Sequence, residues 1–553
     1  MALLLLARLV VAVVIEPRLN STFLVADDFE SFHLSTWAVD FGAVDDEPLM
    51  HPKYEWDEEI GGKGTILVDP IDRIYKAWYI SQPGIDYTTY NSSEGAARMI
   101  SYATSTDGVH WERPLLDVVP WEGKLSNLLL RLPDDHECSY ANVFVDPHAV
   151  NKSRRYEMLA LLSVEPPGFP KDNGHAIYRY YSADGIHWTP DAALVNGPCA
   201  GGKWCSDSMY INKREDGSYL ALLKHGPPSG AGPGQLVPYD TVAGGTRWIY
   251  VSRSTDGNEW EPASLALSPD WRDGQDFQVI SSISTIKSRS DPIRRPGGPL
   301  LIGWLPVFHT LSQTIDMQFA VSADDGTTWW RPERRSAVQF KELGYWGGGM
   351  MWPFRLFVPD RDEPGKLHGY FSGCQGRHAD IHSTLPAERF AQARAHFGWN
   401  SYGGWGYKEL ELRPMESYAP VRGTNWFRGA LMRATWDSRR LWALVPSAGG
   451  DVPGQARTAA QDGVMGKRLV VNIKVHNQTR TKQMGSLSAE LLDKDSLAPI
   501  TGFTLADSIP LSPADGSTYD GVVAWKGGEE CPADGVKVRF VLLRARLYSF
   551  DWV

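Results

Sequence analysis

The chain has 553 residues, 42% of them apolar and 22% charged, with 22 Trp, 22 Tyr and 53 Gly. That length exceeds one small core and asks for several domains or one large repeat architecture, while the aromatics and glycines fit strands joined by tight turns. A net charge of −11 without a long run of either sign gives no field that would gather a polyanion, which excludes nucleic acid as a partner.

The chain opens on MALLLLARLVVAVVIEP, an apolar run interrupted by Arg8. It is too short to cross a bilayer comfortably and has the length of a signal-peptide hydrophobic region. Residues 1–21 therefore read as a leader or signal-like segment and the protein as secreted or in the secretory pathway, with no membrane contact beyond that leader; a buried first strand and a misassigned start are the other readings. Asn20, Asn91, Asn151 and Asn477 stand in Asn-x-Ser/Thr sequons, which accept glycans in that pathway. Of the five cysteines, Cys199 and Cys205 are near enough for a local disulfide, and none forms a CxxC metal pair.

From residue 22 to about 460 strand-like runs alternate with one recurring turn. YKAWYIS and MISYATS lead to Ser105-Thr-Asp-Gly-Val-His-Trp111. YEMLALL and AIYRYYS lead to Ser182-Ala-Asp-Gly-Ile-His-Trp188, and YLALLKH and WIYVSRS to Ser254-Thr-Asp-Gly-Asn-Glu-Trp260. LLIGWLPV and MQFAVS lead to Ser322-Ala-Asp-Asp-Gly-Thr-Thr-Trp329. The tryptophans stand 77, 72 and 69 residues apart, a near-regular period. In each turn Gly supplies the positive φ of a tight hairpin, the Asp carboxylate accepts backbone N–H groups that the turn leaves unpaired, and the Trp is expected to close the seam to the next sheet. An enzyme does not need the same catalytic acid four times, so these aspartates read as structural.

Small sheets that cannot bury both faces alone are stable when arranged radially, so the expected fold is all-β, a five-bladed β-propeller over 22–460. The fifth blade is counted from Lys366-Leu-His-Gly-Tyr-Phe-Ser372, which lacks the turn; a sixth is left open. Pro386 to Ala395 has the periodicity of a short surface helix. GGDVPGQARTAAQDG reads as a linker, and the alternating runs VVNIKV, SLSAELLD, DGVVAW and VKVRFVLLRARLYSF make residues 465–553 a C-terminal β-sandwich.

The turn resembles the Asp-box of sialidase-like propellers; the fourth copy, with Ser322, Asp324, Gly326 and Trp329, has that spacing, and the other three are one residue shorter between Asp and Trp. The overall plan resembles five-bladed glycoside hydrolases of the invertase, fructan-hydrolase and arabinanase type. It looks closest to secreted bacterial relatives of that group that open on a stretch like Thr22-Phe-Leu-Val-Ala-Asp-Asp28 and close on stretches like Ser488-Ala-Glu-Leu-Leu-Asp493 and Val523-Ala-Trp-Lys-Gly-Gly528. The Trp-Met-Asn-Asp-Pro-Asn-Gly and Arg-Asp-Pro signatures of invertases are absent from this sequence. The resemblance implies a propeller acting on carbohydrate, and fold alone does not license an activity.

A propeller binds ligands where its innermost strands begin, so the residues just before each blade matter most. They are Tyr54-Glu-Trp-Asp-Glu-Glu59, His136-Glu-Cys-Ser-Tyr140, Lys203-Trp-Cys-Ser-Asp207, Asp273-Gly-Gln-Asp276 and Tyr345-Trp-Gly-Gly-Gly-Met-Met-Trp352. Carboxylates supply proton and charge work, and aromatic faces stack on sugar C–H surfaces. Asp207 and Glu137 are the expected acid/base or nucleophile pair, with Asp57 or Glu59 as third member. Asp276, Trp56, Trp204, Trp346, His225 and His309 are the expected substrate contacts. Each carboxylate also has a structural reading, as turn cap, salt bridge or solvated loop. Two carboxyls about 5–5.5 Å apart suit a retaining mechanism and about 6.5–9.5 Å an inverting one.

The function expected is a glycosidase, a hydrolase acting on O-glycosyl bonds, with a carbohydrate substrate. The alternatives are a lectin-like propeller that binds glycans without cleaving them, an interaction module with an eroded site, and a sialidase-like hydrolase, for which Arg253 and Arg355 are too few to bind a carboxylate substrate. No cofactor or metal is indicated, although a structural Ca2+ is left open. His378, Asp380 and His382 alternate as a metal trio would but read better as a surface loop. No HExxH, P-loop, GxSxG or dinucleotide fingerprint occurs.

Overall fold

The computed structural model describes residues 19–57, 59–83, 98–132, 138–162, 176–191, 208–214, 216–225, 248–269, 273, 276–277, 281–288, 300–309, 314–339, 341, 345–375, 429–447, 451–477 and 484–553. Among them there is no α-helix; the protein is all-β, built of several sheets of which none closes on itself.

Three antiparallel meanders come first. Their strands are Glu59–Val68, Tyr75–Gln82 and Met99–Ser105; then Cys138–Val145, Tyr156–Leu162 and Ala176–Ser182; then Met209–Lys213, Tyr219–His225 and Trp248–Ser254. A nine-stranded sheet follows, holding Ser281–Ser288, Leu300–His309 and Thr314–Ser322 and, beyond the single parallel pairing of Ile315 with Met350, the strands Met350–Pro359, Lys366–Cys374 and Gly429–Asp437. These two halves are called the fourth and fifth meanders below. The strand runs expected from the sequence occupy the second and third positions of the first four meanders and the second position of the fifth, because near-continuous apolar and aromatic character marks strands buried on both faces.

The first strands of the meanders pack in cyclic order: Glu59–Val68 lies against Cys138–Val145 and Met350–Pro359, Cys138–Val145 against Met209–Lys213, Met209–Lys213 against Ser281–Ser288, and Ser281–Ser288 against Met350–Pro359. Side chains join neighbouring first strands. The Thr65 hydroxyl donates to Ala141 O (2.7 Å) and accepts from Val143 N (3.0 Å), and Asn142 Oδ1 accepts from Ile211 N (3.0 Å).

The four turns repeat one hydrogen-bond pattern. The serine hydroxyl accepts from the glycine N–H at 2.8–2.9 Å, and one Asp oxygen accepts backbone N–H groups further on, as in Ile186 N and His187 N to Asp184 Oδ1, both 2.9 Å. Each turn docks on the preceding sheet. Tyr370 donates to Gly108 O (3.0 Å), Trp78 to Gly185 O (2.8 Å), Arg179 to Asp256 O (2.8 Å) and Arg253 to Asp325 O (2.8 Å). Trp111 follows its turn, meeting Tyr370 edge-on at 5.9 Å, whereas Trp260 lies 6.1 Å from Tyr219 of its own meander. The seam thus closes backward, not forward as expected, because the turn glycine exposes bare backbone to the second or third strand of the meander before it.

Two further sheets share one apolar core that includes Phe29, Leu444, Val471, Leu491, Phe540 and Phe550. One is ordered Phe29–His33, Gly454–Thr458, Val536–Leu543, Ser486–Asp493; the other Ser35–Val39, Trp442–Pro446, Ala545–Trp552, Leu469–Val475, Ser517–Val522. The stretch read as a linker contains the strand Gly454–Thr458, whose Gly454, Ala456 and Thr458 are buried in alternation. Its low β-propensity concealed it, since neighbours on both sides supply the pairing. The expected helix at 386–395 lies outside the described residues.

Candidate functional site

The starting ends of the first strands gather several of the expected residues. Glu59, 8% exposed, is the first residue of its strand and pairs with Gln82. Two residues on, Gly61-Gly62-Lys63-Gly64 forms a bulge: the register with Tyr75–Gln82 shifts between Gly61 and Thr65. A Cβ on Gly62 would lie 2.1 Å from Trp352 O, and one on Gly64 2.1 Å from Trp78 O, so both must be glycine. The bulge turns Lys63 inward, its ammonium 5.0 Å from the Trp352 ring centre and 5.8 Å from that of Tyr140. Burial raises the Cys374 thiol pKa, the Glu59 carboxylate adds to the rise, and Lys63 opposes it, which puts both charges near that thiol.

Deeper along the same strands Arg355 is 1% exposed. It donates to Val143 O (2.8 Å), Asn212 Oδ1 (3.2 Å) and Thr65 Oγ1 (3.3 Å) and lies 4.6 Å from the Phe144 ring centre. Four first strands therefore meet at one guanidinium. Arg253 instead serves the fourth turn.

Asp57 is wholly buried. Its carboxylate accepts from Lys53 N (3.0 Å) and Tyr54 N and forms an ion pair with Arg113. Burial raises its pKa above the ordinary carboxylate value, and Arg113 and the two backbone N–H groups pull the other way. Trp56, 5% exposed, donates to Asn127 Oδ1 (2.7 Å) and has Tyr54 stacked on it at 4.5 Å and 8°. Asp57 and Trp56 are thus committed to contacts within the first sheet.

His309 ends the second strand of the fourth meander, its Nε2 3.1 Å from Asp316 Oδ2. The hydrogen bond to Asp316 raises the His309 pKa against the lowering effect of burial. The preceding residues of these strands, Phe308 and Ile315, pack with Met350, Cys374 and Trp352, placing the pair at the same end of the fold as Glu59. Asp276 sits on a short strand opposite Phe308. Trp346 is half-buried against His51, 5.8 Å between rings. His225 ends the strand Tyr219–His225. Asp207, Glu137 and Trp204 lie outside the described residues, as do Cys199, Cys205 and the His378, Asp380 and His382 group.

Lys63, Tyr140 and Asp316 were not singled out from the sequence. A signal was present for Lys63, since three glycines in a run of four inside a strand mark a bulge. Among the described residues no cluster of three or more His, Cys, Asp or Glu could hold a metal ion, and no helix is long and apolar enough to cross a membrane. Cys138, Cys374 and Cys531 are buried and form no disulfide among the described residues.

No protein-family profile matches the sequence, and no curated protein matches it. Solved structures do overlap. A glycosyl hydrolase from Bacteroides ovatus, 14% identical, gives a TM-score of 0.38 over 65% of this chain and 95% of that one. A fructofuranosidase from Schwanniomyces occidentalis complexed with fructosylnystose, 10% identical, gives 0.39 over 93% and 99%. An N-acetylgalactosamine deacetylase from F. plautii in complex with blood group B trisaccharide, 12% identical, gives 0.36 over 74% and 98%. These neighbours are carbohydrate-processing enzymes, glycoside hydrolases among them, and at such identities and TM-scores the functional reading rests on this chain's own residues.

Proposed function

We propose that the protein is a glycosidase whose site lies where the first strands of a five-bladed propeller begin, with a β-sandwich formed by the two further sheets, which join C-terminal strands to Phe29–His33 and Ser35–Val39. The observation that carries this reading is the cyclic packing of five first strands, with the Glu59 carboxylate and the Trp352 and Tyr140 rings near their starting ends. The four repeated turns act as Asp-boxes that hold each of the first four blades to the one before. In this reading Asp207 and Glu137 are the acid/base or nucleophile pair, Glu59 is the third carboxylate, and Asp57 supports the loop that leads to it. Asp276, His225, His309, Trp204 and Trp346 contact the sugar, and Trp56 backs the loop. One carboxyl must be held protonated and another ionised, and burial beside apolar strands favours the first state.

The test is hydrolysis of a panel of aryl glycosides and plant and algal polysaccharides by the parent, Asp207→Asn and Glu137→Gln. Parent turnover that falls about 10²-fold or more in both variants supports the assignment. Parent turnover unchanged in either variant removes that residue from the pair, and glycan binding without turnover in all three proteins replaces the enzyme by a lectin-like propeller.

A further inference from the structure

The bulge in the first strand holds a conflict between backbone and side chain. Gly61, Gly62 and Gly64 have φ outside the left-handed region, whereas Lys63, at φ +58°, occupies it. A left-handed backbone favours glycine, so a lysine there raises the question of what its side chain meets. The surroundings over-determine the conformation. Gly62 and Gly64 abut carbonyls of neighbouring strands, and the Lys63 N–H donates to the Tyr210 hydroxyl, which itself donates to Pro353 O. Tyr140 braces Tyr210 edge-on at 4.9 Å.

The geometry points to Lys63 as a substrate-contacting, specificity-determining residue, its ammonium donating hydrogen bonds to an oxygen of a sugar held beside Tyr140 and Trp352. This rests on the proposed function. The side chain leaves the strand toward residues of two other first strands, is only partly buried, and shares with Glu59 the neighbourhood of Cys374. A lysine has three donors and no acceptor, so it selects ligands that present hydroxyl, ring or carboxylate oxygens at that place. Rings alone would accept any apolar face; an ammonium among them adds a preference for a ligand that presents an acceptor there.

The experiment compares the parent with Lys63→Gly and Lys63→Met for thermal stability and for affinity and turnover on the same panel of aryl glycosides and plant and algal oligosaccharides. Lys63→Gly relieves the left-handed backbone, so its Tm is expected to equal or exceed that of the parent. Affinity for the panel's best ligand is expected to fall about 10-fold or more in both variants, the range of a lost charged hydrogen bond. A Lys63→Gly protein that loses Tm together with affinity makes Lys63 a structural residue and overturns the inference. Unchanged affinity in both variants beside a parent that binds overturns it while leaving the proposed function standing. A parent that neither binds nor cleaves any member of the panel overturns both.

Discussion

Replacing Asp57 by Asn separates an anchor from an acid. The carboxylate is 0% exposed, and its partner Arg113 has a side chain only 9% exposed. The amide of Asn can still accept from Lys53 N and Tyr54 N, so the backbone turn keeps its acceptor. What is lost is the charge opposite Arg113. Breaking one partner of a buried ion pair costs about 3–5 kcal/mol, because the surviving charge stays desolvated. Arg113 retains the Tyr54 ring, 5.0 Å from its guanidinium carbon, which places the expected cost near ~3 kcal/mol. Removing both charges, with Arg113→Met added to Asp57→Asn, should recover much of that loss, since no unpaired charge remains. The assay is denaturant unfolding of the parent, both single variants and the double variant, with turnover measured alongside. If Asp57→Asn unfolds within about 1 kcal/mol of the parent while turnover collapses, Asp57 is a reacting group and the anchor reading is refuted.

Two further outcomes test the turns. Gly185→Ala meets both a φ of +80° and a fully buried Trp78 ring atom 2.9 Å from the new Cβ, so about 2–4 kcal/mol of destabilisation is expected. Gly217→Ala, at φ +85° with nothing within 4 Å, should lose only about 1 kcal/mol, and equal losses in the two would show that the seam contact adds nothing. In the turns burial pushes the Asp184 pKa up, but hydrogen bonds from the His187 ring, His187 N, Ile186 N and Ser182 prevail and bring it down to about 2; Asp107, Asp256 and Asp324 are lowered too. A lowered folded pKa means stability that is present above the ordinary carboxylate value and lost as pH falls from about 4 towards 2. Asp184→Asn should therefore flatten the acid limb of the stability profile, and a variant whose profile runs parallel to the parent's would sink that assignment.

Local chemistry made much of the fold legible. A Ser-x-Asp-Gly turn satisfies its own backbone within a few residues, and the strands flanking it are buried on both faces, so the motif and the apolar runs appear in the sequence wherever the element occurs. The strand Gly454–Thr458 escaped because its pairing comes from Phe29–His33 and Val536–Leu543, remote in the chain.

For the candidate site the sequence determined which residue types stand before the first strands, and the tertiary structure decided what each one meets. Asp57 and Glu59 are two residues apart in one acidic stretch, and no local pattern distinguishes them. Folding brings Arg113, 56 residues away, onto Asp57, while Glu59 enters the strand beside the fifth meander and its Cys374. The same holds for Lys63 and Arg355. Three glycines in a run of four mark a bulge at Lys63, but only the cyclic packing of strands distant in sequence lays Tyr140 and Trp352 against it and the Val143 carbonyl, Thr65 and Asn212 against Arg355. A hydrogen bond or an ion pair depends on distance in space, and chain order fixes that distance only once the first strand of the fifth meander packs against that of the first.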